Sequence, residues 1–378
     1  MKTVVMNKMK ILLAIWGISM CFACQQKDEA AWNIKVENKV ESITVSDIAD
    51  TVKYIRLETT PEALIGTIYD VQVLDSMIFI LETLPVSRIL CFTTDGRFRY
   101  KIDALGKGPE EYRDLESFTI DPQQKVLMLN ERTRKRIHFY DAVTGKRMGD
   151  KASGCYFTSF TVLSDGGYLL LGEQGLKYRY LLVDSLFREE GGVVKNNENL
   201  DIEYPFVFTC QNECVWFADL KNSVIYSLDR NSKDIKSVAQ VDFGMNKVPQ
   251  KWFENLEDKK DFIVEEIMKK NLSLGIGGVM KWRDGIVFIY NQGMGNVILP
   301  RWCIAGKSQK SISVMSWLYD DYNDIKLSMF PFFSLSDGIG GYIAPQDFDY
   351  SGIRRLYPDL TMNDNYVLYL IQSGYGDK

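Results

Sequence analysis

The chain has 378 residues, of which 46% are hydrophobic and 25% are charged, and its formal net charge is −5. This composition supplies enough apolar material for a large folded core and excludes disorder as the main state. The acidic balance, with no long run of lysine or arginine, argues against nucleic acid as a partner.

The first segment has the layout of an exported lipoprotein. Three lysines precede an apolar run over 11–20, which is too short to cross a bilayer, and Ala23-Cys24 follows with polar residues after it. This layout predicts a signal peptide over 1–23 and lipid attachment at Cys24, with a plain cleaved signal as the alternative. Residues 24–42 are then a flexible tether, the lipid bilayer is a partner, and the predicted location is the cell envelope, as an outer-membrane lipoprotein on its periplasmic or surface face.

A unit of apolar strand, tight polar turn and second apolar strand recurs along the rest of the chain. Six turns mark it, at Asp75, Asp121, Asp165, Asn212, Asp284 and Asp337. Their spacings are 46, 44, 47, 72 and 53 residues, and a period of about 45 residues is typical of one four-stranded propeller blade. The second strands are almost continuously apolar, which suits a sheet covered on both faces. We therefore predict an all-β fold, a six-bladed β-propeller over 43–378.

Two further features of this propeller follow from the pattern. The last repeat lacks a fourth strand, and the β-rich stretch Val52–Leu57 is otherwise unassigned, so we expect it to pair with Tyr366–Ile371 and close the ring. The 72-residue interval contains one inserted helix, predicted over about 249–271 from its apolar spacing. The helix is expected to pack on the propeller rim; the alternative is that it covers one channel end or docks a partner, with Trp252 as a candidate binding residue.

Part of the second repeat resembles a known propeller repeat. The run Gly106-Lys107-Gly108-Pro109-Glu110-Glu111-Tyr112, together with Val126–Asn130 and Arg136–Asp141, is similar to an NHL-type repeat. More broadly, the leader, the segment Tyr54–Thr59 and the blade pattern resemble the six-bladed β-propeller lipoproteins of Bacteroidetes. This resemblance implies the fold and the export route, but it supplies no catalytic residues.

The basic cluster at Arg132, Arg134, Lys135 and Arg136 lies between the second and third strands of one blade. This position predicts that the cluster is a solvated hairpin tip; the alternative is a surface that binds an anionic glycan or protein. Arg132, Arg134 and Arg136 are therefore candidate binding residues beside Trp252.

Residues for catalysis or metal binding are sparse in the sequence. His138 is the single histidine, which excludes a site with several histidine ligands, and it is expected at the surface or between blades. The turn aspartates are expected to serve their own turns, although calcium ligands from different blades would need no local spacing. The cysteines read mostly as small buried hydrophobes, and a disulfide between Cys210 and Cys214 is an open alternative.

These observations favour a membrane-anchored, non-catalytic propeller that binds a peptide, a protein or a glycan. The alternative is a calcium-dependent hydrolase or lyase acting on a carbohydrate or lactone. No cofactor is assigned, and calcium is the one candidate metal.

Overall fold

A computed structural model describes residues 32–37, 40–41, 43–173, 175–196, 207–253, 260–306, 312–314, 318–327, 333–335 and 338–373. The predicted signal peptide, the Cys24 lipidation site and the Asp337 turn lie outside these residues. No helix in the described part of the chain is long and apolar enough to span a bilayer.

Blades 1 to 3 are four-stranded antiparallel sheets whose strands lie side by side in chain order. Blade 1 comprises Ile68–Leu74, Met77–Glu82, Arg88–Thr93 and Phe98–Ile102. Blade 2 comprises Ser117–Asp121, Val126–Glu131, Arg136–Asp141 and Arg147–Ala152. Blade 3 comprises Phe157–Val162, Tyr168–Gly172, Tyr178–Val183 and Glu189–Lys195.

Blades 4 to 6 also take strands from the beginning of the chain. Blade 4 comprises Thr209–Gln211, Cys214–Asp219, Val224–Asp229 and Ile235–Asp242, with Trp32–Lys35 outside them. Blade 5 comprises Ser273–Trp282, Gly285–Met294, Val297–Ala305 and Ile312–Val314, with Val40–Glu41 outside them. Blade 6 comprises Phe333–Ser334, Gly338–Ile343, Val367–Gln372 and Thr51–Arg56. A separate hairpin, Leu318–Asp320 with Ile325–Leu327, lies in the sequence between Ile312–Val314 of blade 5 and Phe333–Ser334 of blade 6.

Short helical segments fill the connections. In the described residues the α-helices are Val45–Ile48, Lys260–Lys269 and Phe348–Ser351. The 3₁₀ turns of this part of the chain are Gly244–Asn246, Gln250–Phe253, Pro345–Asp347 and Ile353–Arg355. The helix predicted over 249–271 therefore corresponds to one 3₁₀ turn and one α-helix in the described residues.

The closing strand predicted from the sequence is present. Thr51–Arg56 pairs antiparallel with Val367–Gln372 along its whole length, with Ile55 opposite Leu368. The Tyr54 hydroxyl also donates a hydrogen bond of 2.5 Å to Asp320 Oδ2. Two strands that are more than 300 residues apart in the sequence, Thr51–Arg56 and Val367–Gln372, thus build one blade, which removes an open sheet edge.

The range predicted as a flexible tether, 24–42, is partly folded. Trp32–Lys35 and Val40–Glu41 add outer strands to blades 4 and 5, and the Val36 amide donates to Asp242 O at 2.9 Å. Backbone pairing therefore holds the described parts of this segment, Trp32–Lys35, Val36 and Val40–Glu41, against the propeller.

The predicted hairpin turns join the first and second strands of blades 1 to 5. Each contains one residue with a left-handed backbone, at Asp75, Lys125, Gly166, Asn212 and Arg283. In blade 2 the Asp121 carboxylate accepts the amides of Gln123 and Gln124 at 2.9 and 3.0 Å. This is the local role expected for a turn aspartate.

The second strands carry the core because both of their faces are covered. Val126–Glu131 is buried at every position. In blade 1, Phe79 and Leu81 pack toward blade 2, whereas Ile78 and Ile80 pack on the other side, in the cluster that includes blade 6. Alternate side chains thus fill the two neighbouring interfaces, which explains the continuous apolar runs in the sequence.

Candidate ligand-binding channel

A cavity of about 840 Å³ follows the axis of the propeller. The first strand of every blade contributes to its wall, through residues 69–74, 117–120, 158–161, 209–210, 276–277 and 333–334. The size lies within the range of small-molecule sites, roughly 300–1,000 Å³. The wall mixes aromatic side chains with hydroxyl, amide and charged groups.

One end of the channel is lined by the turns that follow the second strands of blades 2 and 3. There Arg132 donates through Nε and Nη2 to the Glu173 carboxylate, the second bond measuring 2.8 Å. The Asn196 side chain donates to Glu173 O at 2.7 Å. These contacts join blades 2 and 3 at the channel rim and neutralise the charge of Arg132.

Arg179 lines the same end of the channel from the third strand of blade 3. Its Nε atom is buried and has no hydrogen-bond partner, and no ion pair of Arg179 occurs within the described residues. Burial raises the pKa of the neighbouring Tyr180 to about 12, and the Arg179 guanidinium opposes that rise. The Tyr180 hydroxyl donates to Ala218 O at 2.5 Å, so this phenol offers Arg179 no anion.

Asp70 lies on the channel wall in the first strand of blade 1. Its carboxylate accepts the Val71 amide at 2.8 Å and Gln72 Nε2 at 3.1 Å. Burial raises the pKa of Asp70 to about 6, although both hydrogen bonds favour the ionised form. No cation pairs with Asp70 in the part of the chain that the structure describes, so desolvation dominates.

Cys210 and Arg230 lie on the blade 4 side of the channel. Cys210 Sγ is 3.1 Å from Thr161 Oγ1, and Arg230 Nε donates to Val162 O at 3.1 Å. Burial raises the pKa of the Cys210 thiol, with Arg230 opposing the rise. The thiol reaches the channel but is a weak nucleophile at neutral pH.

The disulfide considered between Cys210 and Cys214 is absent, since both thiols are free. Cys210 is paired with Val215, and Gln211 is paired with Cys214. Because consecutive residues of a strand point to opposite faces, the two cysteines lie on opposite faces of the blade.

The three arginines predicted as a binding cluster do not converge on one surface. Arg132 joins the channel rim, Arg134 donates to the buried Glu131 at 2.5 Å, and Arg136 pairs with Asp150. Each guanidinium therefore has its own carboxylate, and Arg132 alone of the three lines the channel.

Trp252 anchors the inserted helix. Its ring meets Phe262 edge to face at 6.1 Å between centroids, and Lys270 Nζ lies 5.5 Å from the ring centre. Ile263 and Ile267 of the helix are buried with Leu274 of blade 5. The described residues of the insertion thus pack on the blade 5 sheet, and none of them lines the channel.

His138 is an interior residue between blades. Its Nε2 lies 2.8 Å from Glu131 Oε2, and its ring meets Tyr112 at 6.1 Å. Burial opposes ionisation of Glu131, but hydrogen bonds from Arg134, His138 and the Arg113 amide hold its pKa below the ordinary value. The same burial lowers the pKa of His138. This network fixes the packing of blade 2.

The described residues contain no group of three or more His, Cys, Asp or Glu side chains placed to hold a metal ion. Two of the turn carboxylates make contacts with the protein, within their turns and, for Asp165, across to the next blade. Asp121 caps its own turn, and Asp165 accepts the Gly167 amide at 3.0 Å and pairs with Lys233 at 2.5 Å. Within the described residues, the geometry thus offers no support for the calcium-dependent alternative.

Comparison with known proteins gives the family. Residues 31–372 match the family model described as Domain of unknown function (DUF4934). The chain belongs to the DUF4934 family. No curated protein is significantly similar to this DUF4934 chain in sequence.

Two solved structures resemble the DUF4934 chain. A "putative exported protein" of Bacteroides fragilis has a TM-score of 0.71 at 14% identity, covering 90% of this chain and 99% of that protein. A member of the duf4221 family from Bacteroides vulgatus has a TM-score of 0.52 at 10% identity, covering 86% of this chain and 96% of that protein. At these identities the likeness establishes the propeller fold.

Of the charged channel residues of the DUF4934 chain, sequence analysis proposed Arg132 for binding but not Asp70, Arg179 or Arg230. Asp70 and Gln72 interrupt an otherwise apolar first strand, which is the signal that they face a cavity. Arg179 and Arg230 had no comparable signal, because each lies in a segment whose relation to the axis depends on the closed ring.

Proposed function

We propose that this protein is a cell-envelope lipoprotein, attached to the outer membrane through Cys24, whose propeller channel binds a peptide, a protein segment or a glycan. The lysine-rich leader and the Ala23-Cys24 junction support export and lipid attachment. The name of the Bacteroides fragilis structure refers to export as well. Binding without chemistry is the function that the channel geometry supports best.

The channel carries this proposal. Its volume of about 840 Å³ accommodates a small ligand or a chain end, and all six first strands contribute to its wall. Propeller closure makes the wall rigid, so a ligand would meet preorganised groups and lose little affinity to ordering of the protein.

A channel-filling variant tests the binding. Ser159 lies on the first strand of blade 3 and lines the channel, whereas Ser185 is exposed in a turn of the same blade. We expect Ser159→Trp to abolish retention of envelope glycans and peptides by the immobilised protein, and Ser185→Trp to retain them. Mass spectrometry of the eluates measures this; equal retention by both variants would place binding outside the channel.

The anchor requires its own test. Cells fed an alkyne-labelled fatty acid should label the wild-type protein, and Cys24→Ser should lose the label and leave the membrane fraction. A labelled Cys24→Ser protein, or a wild-type protein that stays soluble, would contradict lipid attachment at this residue.

A further inference from the structure

We infer that the channel ligand carries a carboxylate group, which the Arg179 guanidinium binds. The inference rests on the proposed binding function of the channel and names the chemistry that the ligand must present. It follows from which charged side chains of the described channel wall have ion-pair partners. At one end of the channel, a single positive charge has no such partner.

Most charged side chains of the described wall already have partners. Asp75 lies 3.1 Å from Lys125 Nζ, and Glu173 pairs with Arg132. Glu116 also has a partner. Three groups have no ion pair within the described residues, and they are Asp70, Arg179 and Arg230.

The two arginines differ in whether the Nε–H group of each has a hydrogen-bond acceptor. Arg230 Nε donates to Val162 O at 3.1 Å, which holds this guanidinium against the blade 3 strand. Arg179 Nε is buried without any acceptor. Arg179 as a whole is half-buried, but leaving its buried Nε–H without an acceptor is costly, and a bound carboxylate would satisfy this guanidinium through two parallel hydrogen bonds.

The local charge favours a single negative charge over a phosphate. At the Arg179 end the charge of Arg132 is cancelled by Glu173, so one guanidinium remains. A carboxylate matches that one charge, whereas a phosphate dianion would leave an excess negative charge near the Glu173 carboxylate. The Tyr180 and Phe208 rings, 5.9 Å apart, also line this region and limit its hydration, which strengthens the ion pair.

Two kinds of small ligand present such a group, an acidic sugar and the carboxyl end of a short peptide. Both fit a cavity of about 840 Å³. The probes are therefore a galacturonic acid trisaccharide with its neutral galactose analogue, and a tripeptide with a free carboxyl end together with its amide.

Cys210 offers a readout of channel occupancy. Its thiol reaches the channel, whereas Cys91 and Cys303 are fully buried. The full chain with Cys21, Cys24, Cys155 and Cys214 changed to serine is treated with iodoacetamide at pH 9, and labelling of Cys210 is followed by mass spectrometry. We expect one of the acidic probes to slow labelling and its neutral analogue to have no effect; the acidic probe that protects identifies the ligand source.

The variant Arg179→Gln should weaken protection by that probe at least tenfold, because charge-assisted hydrogen bonds are lost. Arg188→Gln is the matched control. Arg188 belongs to the same blade, but its side chain is 74% exposed and pairs with Asp184, so we expect a change of less than twofold. Arg179→Lys keeps the positive charge but cannot form the two parallel hydrogen bonds. We therefore expect it to weaken protection by the probe more than Arg188→Gln and less than Arg179→Gln.

The outcomes separate the inference from the proposed function. Equal protection by acidic and neutral probes, unaffected by Arg179→Gln, would overturn the carboxylate inference and leave channel binding standing. If no probe protects Cys210 while Ser159→Trp still abolishes retention of envelope ligands, the inference is again wrong. If that retention is also unchanged, the proposed channel function fails as well.

Discussion

At the scale of single residues, the charged groups of the interior divide into those paired with an opposite charge and those without an ion pair in the described residues. Glu131 accepts hydrogen bonds from Arg134, His138 and the Arg113 amide, so groups of the protein itself compensate its negative charge. Asp70 and Arg179 face the channel without ion pairs in the described residues. Groups of the first kind stabilise packing, and groups of the second kind are available to a ligand.

Sequence reasoning recognised the basic run from Arg132 to Arg136 but not its partners. Glu173 and Asp150 are brought to Arg132 and Arg136 by pairing between and within blades. A run of like charges in a sequence indicates a binding patch when no carboxylate faces it. That condition depends on contacts across the sheets, which single-sequence patterns do not contain.

The raised pKa of Asp70 predicts a pH effect on stability. Because its pKa rises from 3.8 to about 6 on folding, the folded state binds this proton more tightly, and the free energy of unfolding should fall as pH increases through that window. The effect is at most about 3 kcal/mol, from roughly 1.36 kcal/mol per pKa unit. Asp70→Asn should therefore flatten the dependence of the free energy of unfolding on pH between pH 4 and 6, and it should stabilise the protein above pH 6.

Urea unfolding at pH 4.5 and pH 7.5 measures the effect of Asp70→Asn. At pH 7.5 the variant should gain less free energy of unfolding than the upper limit of about 3 kcal/mol. The reason is that it loses the hydrogen bond from Gln72, worth about 1 kcal/mol. Asp75→Asn, in the exposed turn after the same strand, is the control, and asparagine tolerates its left-handed φ of 53°. Parallel pH profiles for wild type and Asp70→Asn would show that burial does not perturb Asp70.

At the scale of elements, the strands with a strong two-residue or continuous apolar pattern were predictable, and the shortest ones were not. The pairing of Thr51–Arg56 with Val367–Gln372 follows from an unmatched β-rich segment and an incomplete last repeat. Trp32–Lys35 and Val40–Glu41 have only four and two residues. Such lengths are too short to show a period, and their strand conformation is imposed by the sheet edges beside them.

The closing strand should contribute strongly to stability through its buried face. Ile55 is 3% exposed and sits opposite Leu368, whereas Lys53 on the same strand is exposed. We expect Ile55→Ala to lower the free energy of unfolding by about 2–5 kcal/mol, because it leaves a cavity between blades. Lys53→Ala should change it by less than about 0.5 kcal/mol. Equal effects in urea unfolding would mean that the strand does not bury Ile55.

At the scale of the whole molecule, three segments between residues 32 and 56 form outer strands of three consecutive blades. Trp32–Lys35 joins blade 4, Val40–Glu41 joins blade 5, and Thr51–Arg56 completes blade 6. The first two add a fifth strand to sheets that already have four, but the third supplies the only outer strand of the described blade 6. Loss of the third strand should therefore have a different consequence from loss of the first two.

Two truncations test this difference. A chain beginning at residue 43 keeps all six blades, so we expect a soluble monomer that unfolds in one cooperative transition, as judged by size-exclusion chromatography and circular dichroism. A chain beginning at residue 58 exposes the backbone groups of Val367–Gln372, and we expect it to aggregate or to lose the single transition. Adding the peptide 43–57 should restore a monomer, because it replaces the missing strand and buries Ile55 against Leu368. A chain from residue 58 that is as soluble and cooperative as the chain from residue 43 would show that the ring does not depend on this strand for closure.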